Sequence, residues 1–374
     1  MMCVSINKAE MNNHIKKYEA MKAGISSSFY RIGRFIVKNA IYAGQIVLKR
    51  RRDLEDVVDT GDRMLEALPR WALRFPIPPG IGVDLRGLHF PSPLTLASFK
   101  DNLKVIERWM MLGLGGATIK TVMCEKRKGN ERPRIQELSD GGFLNAMGLP
   151  CPGIDAVITD LEKCLEKGTL FSHNRPIGIS IGGSTGEEYK RNFDSLQRLL
   201  GRAGRPHYYE INISCPNTPD GQNLMKNPGL LKEVMSHMRA GTTSFIFVKL
   251  SHDMKDEDIL IVTDLVKQFE HTGLNLGNTA HRTCEEAGLP REAISIGGGG
   301  LSGPSLYVRT LAMTKLVAPT GVPVLSTGGI DSAEKVIELI DNGATLIGMA
   351  SGVVKDMYCI PLINRALAER AGGR

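Results

Sequence analysis

From about residue 84 onward the chain repeats one unit eight times: a short apolar run, a glycine-rich or polar turn, then an amphipathic stretch. The runs are LTLAS (94–98), ATIKTV (117–122), IGISIG (177–182), YYEINIS (208–214), FIFVKLS (245–251), GLNLGNT (273–279), PVLSTGG (323–329) and TLIGMAS (345–351). Most are continuously apolar, the pattern of parallel strands covered on both faces. Helical patterns lie between them, such as PGLLKEVMSHMRA (228–240) and SAEKVIELIDNG (332–343), the second opened by a Ser cap and stopped at Asn-Gly. Eight alternations predict an α/β fold, a closed (β/α)8 TIM-type barrel, over a doubly wound open sheet. With 41 glycines and 6% aromatic residues, the composition suits many tight turns better than a β-sandwich.

Residues 1–83 read differently, as an N-terminal helical extension and linker, with the barrel domain at 84–374. Positions 1–80 carry 14 Lys and Arg against 8 Asp and Glu, so nearly all of the net +7 charge sits in this appendage. The body is almost neutral, which argues against nucleic acid as a partner. On a helical wheel Arg31, Arg34, Lys38, Gln45 and Lys49 share one face, and Phe29, Ile32, Ile36, Ala40, Ala43 and Val47 take the opposite one. A helix of this kind either docks on the barrel or on a partner chain, or lies on an anionic membrane surface through residues 29–52. Arg34 and Lys38 interrupt any apolar run long enough to span a bilayer. The prolines of LPRWALRFPIPPGIG mark the segment 53–83 as a linker.

Seven cysteines stand at 3, 124, 151, 164, 215, 284 and 359, with no C-x-x-C pair and no Cys/His cluster at metal or iron–sulfur spacing. No secretory signal pattern opens the chain. A reduced, cytoplasmic protein without a metal centre is expected, peripheral to a membrane if the helix binds one.

In a barrel of this type chemistry sits at the carboxyl ends of the strands. The second strand carries Lys120, followed by GNERPR (129–134) and LNAMGLPCPG (144–153), which offers Asn145 and the backbone amides of Met147, Gly148 and Leu149. The fourth ends in Asn212, Cys215 and Asn217, the fifth in Lys249, and the sixth in Asn278 and Thr279 with GGGGLSG (297–303) beyond. The seventh ends in Gly328-Gly329 and the eighth in Ala350-Ser351. No His, Asp or Glu stands at a comparable position. Each asparagine offers a donor and an acceptor, so four of them suit a flat heterocycle with alternating N–H and C=O groups. Glycines after the last strands suit a phosphate on exposed amides. Together these features point to a mononucleotide-like cofactor such as FMN beside a ring substrate.

These motifs, GNERPR, LNAMGLP, INISCPNT, FVKL, GNT, GGLSG and STGGIDSAEKVIELIDNGATLI, occur in an order similar to that of the dihydroorotate dehydrogenase family, over about residues 84–370. The resemblance implies FMN-dependent oxidation of dihydroorotate to orotate, a step of pyrimidine biosynthesis. It implies that Cys215 is the general base and that Asn145, Asn212, Asn217 and Asn278, with Thr279, hold the pyrimidine ring. Lys120 and the Met147, Gly148 and Leu149 amides would receive the substrate carboxylate. Ala97, Ser98, Lys120, Asn212, Lys249, Gly300, Gly303, Gly328, Gly329, Ala350 and Ser351 would contact the flavin. Such a role explains a cysteine just beyond a strand end. Loss of a proton from C5 needs a base on the face opposite the hydride acceptor, and a thiol is modestly depressed into a usable thiolate.

The chain departs from its resemblance in two directions. Cys215 and NAMGLP resemble the soluble class 1 enzymes, whereas the quinone-using class 2 enzymes carry serine as base and arginine where Ala146 stands. The N-terminal extension resembles class 2. Lys100 and Asp101 stand in reversed order relative to the membrane-associated branch and are assigned no role. The acceptor is therefore fumarate, a quinone, or NAD through a second subunit, and a homo-oligomer is expected. The alternatives are a flavin oxidoreductase acting on another dihydropyrimidine and a flavin-binding scaffold without turnover.

Overall fold

A computed structural model describes residues 8–213 and 221–373. Cys215 and Asn217, the expected base and one expected ring ligand, lie outside the described residues. Eight parallel strands close into a barrel: β1 (Leu94–Leu96), β2 (Gly116–Val122), β3 (Ile177–Ile181), β4 (His207–Asn212), β5 (Phe245–Lys249), β6 (Thr272–Leu276), β7 (Val324–Thr327) and β8 (Leu346–Met349). They neighbour one another in sequence order, and β8 pairs with β1 to complete the ring. Each strand coincides with one of the eight apolar runs. Their residues are almost all buried, because helices cover the outside and side chains fill the inside.

The barrel interior is layered. At its amino end Phe90, Tyr208, Phe245, Phe247, Leu325 and Leu346 form an apolar plug, with the Phe245 and Phe247 ring centroids 4.7 Å apart. Gly178 makes room for it, since a Cβ there would lie 2.3 Å from the Tyr208 ring. One layer higher the interior turns polar, with Glu210, Asn275, Ser180 and Lys249 all buried. That switch from hydrocarbon to polar groups sets the floor of the site.

Over the carboxyl end lies a four-stranded antiparallel cover sheet made of Ile135–Glu137, Phe143–Asn145, Gly298–Ser302 and Ala280–Thr283. Asn145 pairs with Gly300 in its register. The sequence reading counted none of these segments as a strand. Strands of three to five residues are defined by partners up to about 160 positions away, so no local periodicity announces them.

The extension forms two helices, α1 (Lys8–Val47) and α2 (Leu54–Ala67), followed by a helical turn at Arg70–Leu73. Helix α2 corrects the linker reading of 53–83. Asp53 caps it, accepting from the Glu55 amide at 3.0 Å, Glu55 and Asp56 fill its first turn, and the prolines begin only at 69.

Helix α1 docks on the barrel through its polar face. Arg34 and Lys38 both bind Glu137 of the cover sheet, at 2.9 and 2.8 Å. Ser27 donates to Asp356, the Tyr30 hydroxyl donates to the Val354 carbonyl at 3.1 Å, and Gln45 donates to Asp56 at 2.8 Å. The opposite face is left outward, with Phe29 73%, Phe35 64% and Val47 81% exposed. Of the basic face, Arg34, Lys38 and Gln45 are docked, while Arg31 and Lys49 stay exposed at its margins. No helix among the described residues is long and apolar enough to cross a membrane.

Candidate active site

The strand ends and the cover sheet enclose a cavity of about 230 Å³. A single buried water needs only roughly 10–15 Å³, so this is no packing defect. Ala97, Ser98, Lys120, Asn145, Met147, Leu149, Asn212, Lys249, Asn278, Thr279, Gly303, Gly328, Gly329, Ala350 and Ser351 all line it. Two residues singled out from sequence stand just behind the wall. Gly300 takes the Asn145 side-chain amide on its carbonyl at 3.1 Å, and a Cβ there would lie 2.1 Å from the Thr279 hydroxyl. Gly148, at φ +70°, lies against Asn130.

The asparagines are oriented by their neighbours. Asn212 donates through Nδ2 to the Thr121 hydroxyl at 2.9 Å, which directs its Oδ1 toward Asn278, whose Nδ2 is 3.4 Å away. Asn278 Oδ1 in turn accepts from the Thr279 amide at 2.9 Å. A row of amides with fixed polarity recognises a ring by its donor and acceptor order, since reversing any one would strand its partner.

Two ammonium groups face the cavity. Lys120 is held by Asp101 at 3.3 Å. Lys249 donates to the Ser98 hydroxyl at 2.9 Å, and Ser98 donates to Glu210 Oε1 at 2.6 Å. Asn275 donates to the other oxygen of Glu210 at 2.6 Å, and the Lys249 and Glu210 charges are 3.8 Å apart. Both charges are buried, and each is compensated by the other through an intact chain of donors and acceptors.

Glu210 and His252 are the residues that sequence reasoning passed over. Glu210 follows from the twofold period of β4: if Asn212 points into the barrel, so does the residue two before it. His252 sits just past β5, donates from Nδ1 to the Asn278 carbonyl and accepts at Nε2 from Thr310, 2.9 Å away. Burial pushes its imidazole down to about 4, so the ring is neutral. A side chain at Gly328 would fall 2.5 Å from this ring, and one at Gly329 would fall 2.6 Å from the Tyr307 amide nitrogen. With φ of +129° and +71°, the two glycines bare their backbone to the cavity.

The cavity wall next to them carries an unsatisfied group. Thr327 Oγ1 is buried with no hydrogen-bond partner among the described residues. At Gly277 and Gly348 a Cβ would lie 1.8 and 2.0 Å from Thr327 atoms. A smooth cradle of glycines, one orphaned hydroxyl and a lysine at the floor fit a bound planar group with a polar tail.

A family model described as "Dihydroorotate dehydrogenase" matches residues 81–370. A dihydroorotate dehydrogenase (quinone) of Mycolicibacterium vanbaalenii is 32% identical over 80% of this chain and 84% of its own length. The catalytic subunit of a dihydroorotate dehydrogenase B (NAD(+)) from Geobacillus kaustophilus is 30% identical over 76% of this chain and 88% of its own. Among solved structures, the Eimeria tenella DHODH complex with ferulenol superposes with a TM-score of 0.71 at 21% identity, covering 86% of this chain and 91% of that one. This last likeness concerns the fold.

Proposed function

The chain belongs to the dihydroorotate dehydrogenase family, and we propose that it oxidises dihydroorotate to orotate using FMN, with Cys215 as the general base. It is an oxidoreductase acting on a CH–CH bond. The observation that carries the reading is the convergence of Asn145, Asn212, Asn278 and two lysines on one cavity at the carboxyl end of the barrel.

FMN, when bound, supplies the acceptor for the hydride that leaves C6 of the substrate. Gly328, Gly329, Ala350 and Ser351 would hold its phosphate on backbone amides, and Lys249 would set positive charge beside its ring. Asn145, Asn212 and Asn278, with Asn217 outside the described residues, would fix the substrate ring in its plane. Lys120 and the 147–149 amides would take its carboxylate. Cys215 follows β4 by three residues and is assigned the C5 proton, for which a thiolate near neutral pH is a competent base. The asparagines contribute orientation, which is the larger part of the rate advantage available to a site with so few acids and bases. Retention of this whole set supports turnover over a scaffold role, and the four amides with a carboxylate site favour orotate over a plainer dihydropyrimidine.

We further propose a membrane-resident quinone as acceptor, supported by the outward apolar face of α1, which a lipid surface would cover. Purified protein should carry FMN, identified by its absorbance, and anaerobic dihydroorotate should bleach it. Cys215→Ala should slow that bleaching at neutral pH by a factor of at least about 10². Flavin that stays oxidised in the wild type overturns the substrate, and equal bleaching in the variant overturns the base.

A further inference from the structure

The extension touches the rim of the site at the loops after β1 and β2, at the cover sheet and at the segment after β8, yet the dihydroorotate half of the reaction above assigns it no part. Its most buried ionic contact with the rim is Glu55 of α2 with Arg134. Arg134 donates from Nε and Nη2 to the two oxygens of Glu55, at 2.8 and 2.9 Å, in a two-pronged pair. Both side chains are largely buried, at 12 and 14% exposure. The third nitrogen of the guanidinium, Nη1, donates to the Lys128 and Asn130 carbonyls at 2.8 and 3.0 Å.

The turn 128–130 so fixed is locked in turn to the substrate-facing strand. The Asn130 amide donates to the Met147 carbonyl at 3.1 Å, and its side chain donates to the Ala146 carbonyl at 2.9 Å. The Ala146 amide donates back to the Arg134 carbonyl at 2.7 Å. Gly129, at φ +76°, admits no side chain, since a Cβ would sit 2.2 Å from the Met147 carbonyl oxygen. The backbone at Ala146 and Met147, between the cavity-lining Asn145 and Leu149, is therefore tied to Arg134, and Arg134 is oriented by the extension.

We propose that Glu55 is a positioning residue, which orients the Arg134 guanidinium and through it sets the substrate-binding segment 145–149. The proposal rests on the assignment of that segment to dihydroorotate. Glu55 touches neither substrate nor cofactor, so it acts on binding and leaves the chemical step alone. Removing its charge leaves a largely buried guanidinium facing an unmatched partner, and the turn it holds relaxes.

Full-length Glu55→Gln should retain its FMN and raise KM for dihydroorotate roughly tenfold or more, with kcat changed less than about twofold. Arg134→Lys keeps the charge but loses the fork, so it should behave alike, and the double variant should be no worse than either single one. Arg134→Lys also serves where Glu55→Gln does not fold. Lys38→Gln, which weakens the extension elsewhere, should leave KM unchanged. Hydrogen exchange of the Asn130 and Ala146 amides, measured without substrate, should speed up in Glu55→Gln and not in Lys38→Gln. Unchanged exchange overturns the positioning role whatever the substrate is. Faster exchange with an unaltered KM overturns its link to dihydroorotate binding. Should the wild type ignore dihydroorotate, the substrate reading fails by itself and the exchange result still decides whether Glu55 holds the segment.

Discussion

Glu210 is cut off from solvent, and each of its oxygens accepts a hydrogen bond, one from Ser98 and one from Asn275. Among the described residues it forms an ion pair with Lys249, itself 8% exposed at the side chain. Burying such a pair contributes little to net stability, but breaking it is costly because the surviving charge stays buried and loses its counter-charge. Glu210→Gln should therefore lower the unfolding free energy by about 3–5 kcal/mol, measured by denaturant titration. It should also raise the midpoint potential of the bound flavin, because more of the Lys249 charge would act on the ring. An unaltered potential would mean that Lys249 does not sense the carboxylate. This residue was legible in the sequence once Asn212 was placed inward. The orientation of the asparagines was not, since that of Asn212 depends on Thr121 and Asn278, which other elements deliver to it.

At the scale of elements, the barrel strands were legible because burial on both faces imposes a composition that turns and helices cannot mimic. Helix α2 was obscured by prolines that begin only after it ends. For α1 the wheel shows two faces but carries no information on which of them meets protein. The answer depends on Glu137, Asp356 and the Val354 carbonyl, which chain folding brings to the rim from far along the sequence. Because its basic face is occupied, membrane binding through α1 would be driven by hydrocarbon burial, with Arg31 and the Arg50–Arg52 run at its edges. Each fully buried Phe or Leu contributes roughly 1.5–3 kcal/mol. Phe29→Asp together with Phe35→Asp should therefore abolish co-sedimentation with vesicles of mixed neutral and anionic lipid while leaving dihydroorotate-dependent bleaching intact. Equal sedimentation of variant and wild type would remove α1 from the membrane contact, and with it the support for a quinone.

For the molecule as a whole, acid should act in two stages. His252 has a folded pKa depressed by burial from 6.5 to about 4, so the unfolded chain binds its proton first. The stability this contributes is complete above about pH 6.5 and is lost as pH falls toward 4. A second stage begins lower. Burial works to raise the Glu137 carboxyl, but the hydrogen bonds from Arg34 and Lys38 outweigh it and hold Glu137 below its ordinary 4.5. The Gln45 amide, aided by Arg132, holds Asp56 below 3.8. The docking free energy of the extension is thus intact above those ordinary values and is lost as pH falls through the lower folded ones. Denaturant titrations at a series of pH values should show a decline starting near pH 6.5, and His252→Gln should reduce the part above pH 4 without abolishing it, because burial depresses His173 and His207 as well. A wild-type profile flat down to pH 4 would mean that His252 is not held neutral in the fold.

The inward contacts of α1 also set a timetable for biosynthesis. Ser27 and its partner Asp356 are separated by 329 positions. At ribosomal rates of about 5–20 residues per second, the last docking partner of the helix is made roughly 15–65 s after the helix itself. Throughout that interval neither face of α1 has its full complement of partners, and the apolar one is available to whatever lies nearest the nascent chain. A lipid surface or a chaperone can thus be engaged before the barrel exists, and the finished enzyme would then be assembled where its first helix had already come to rest.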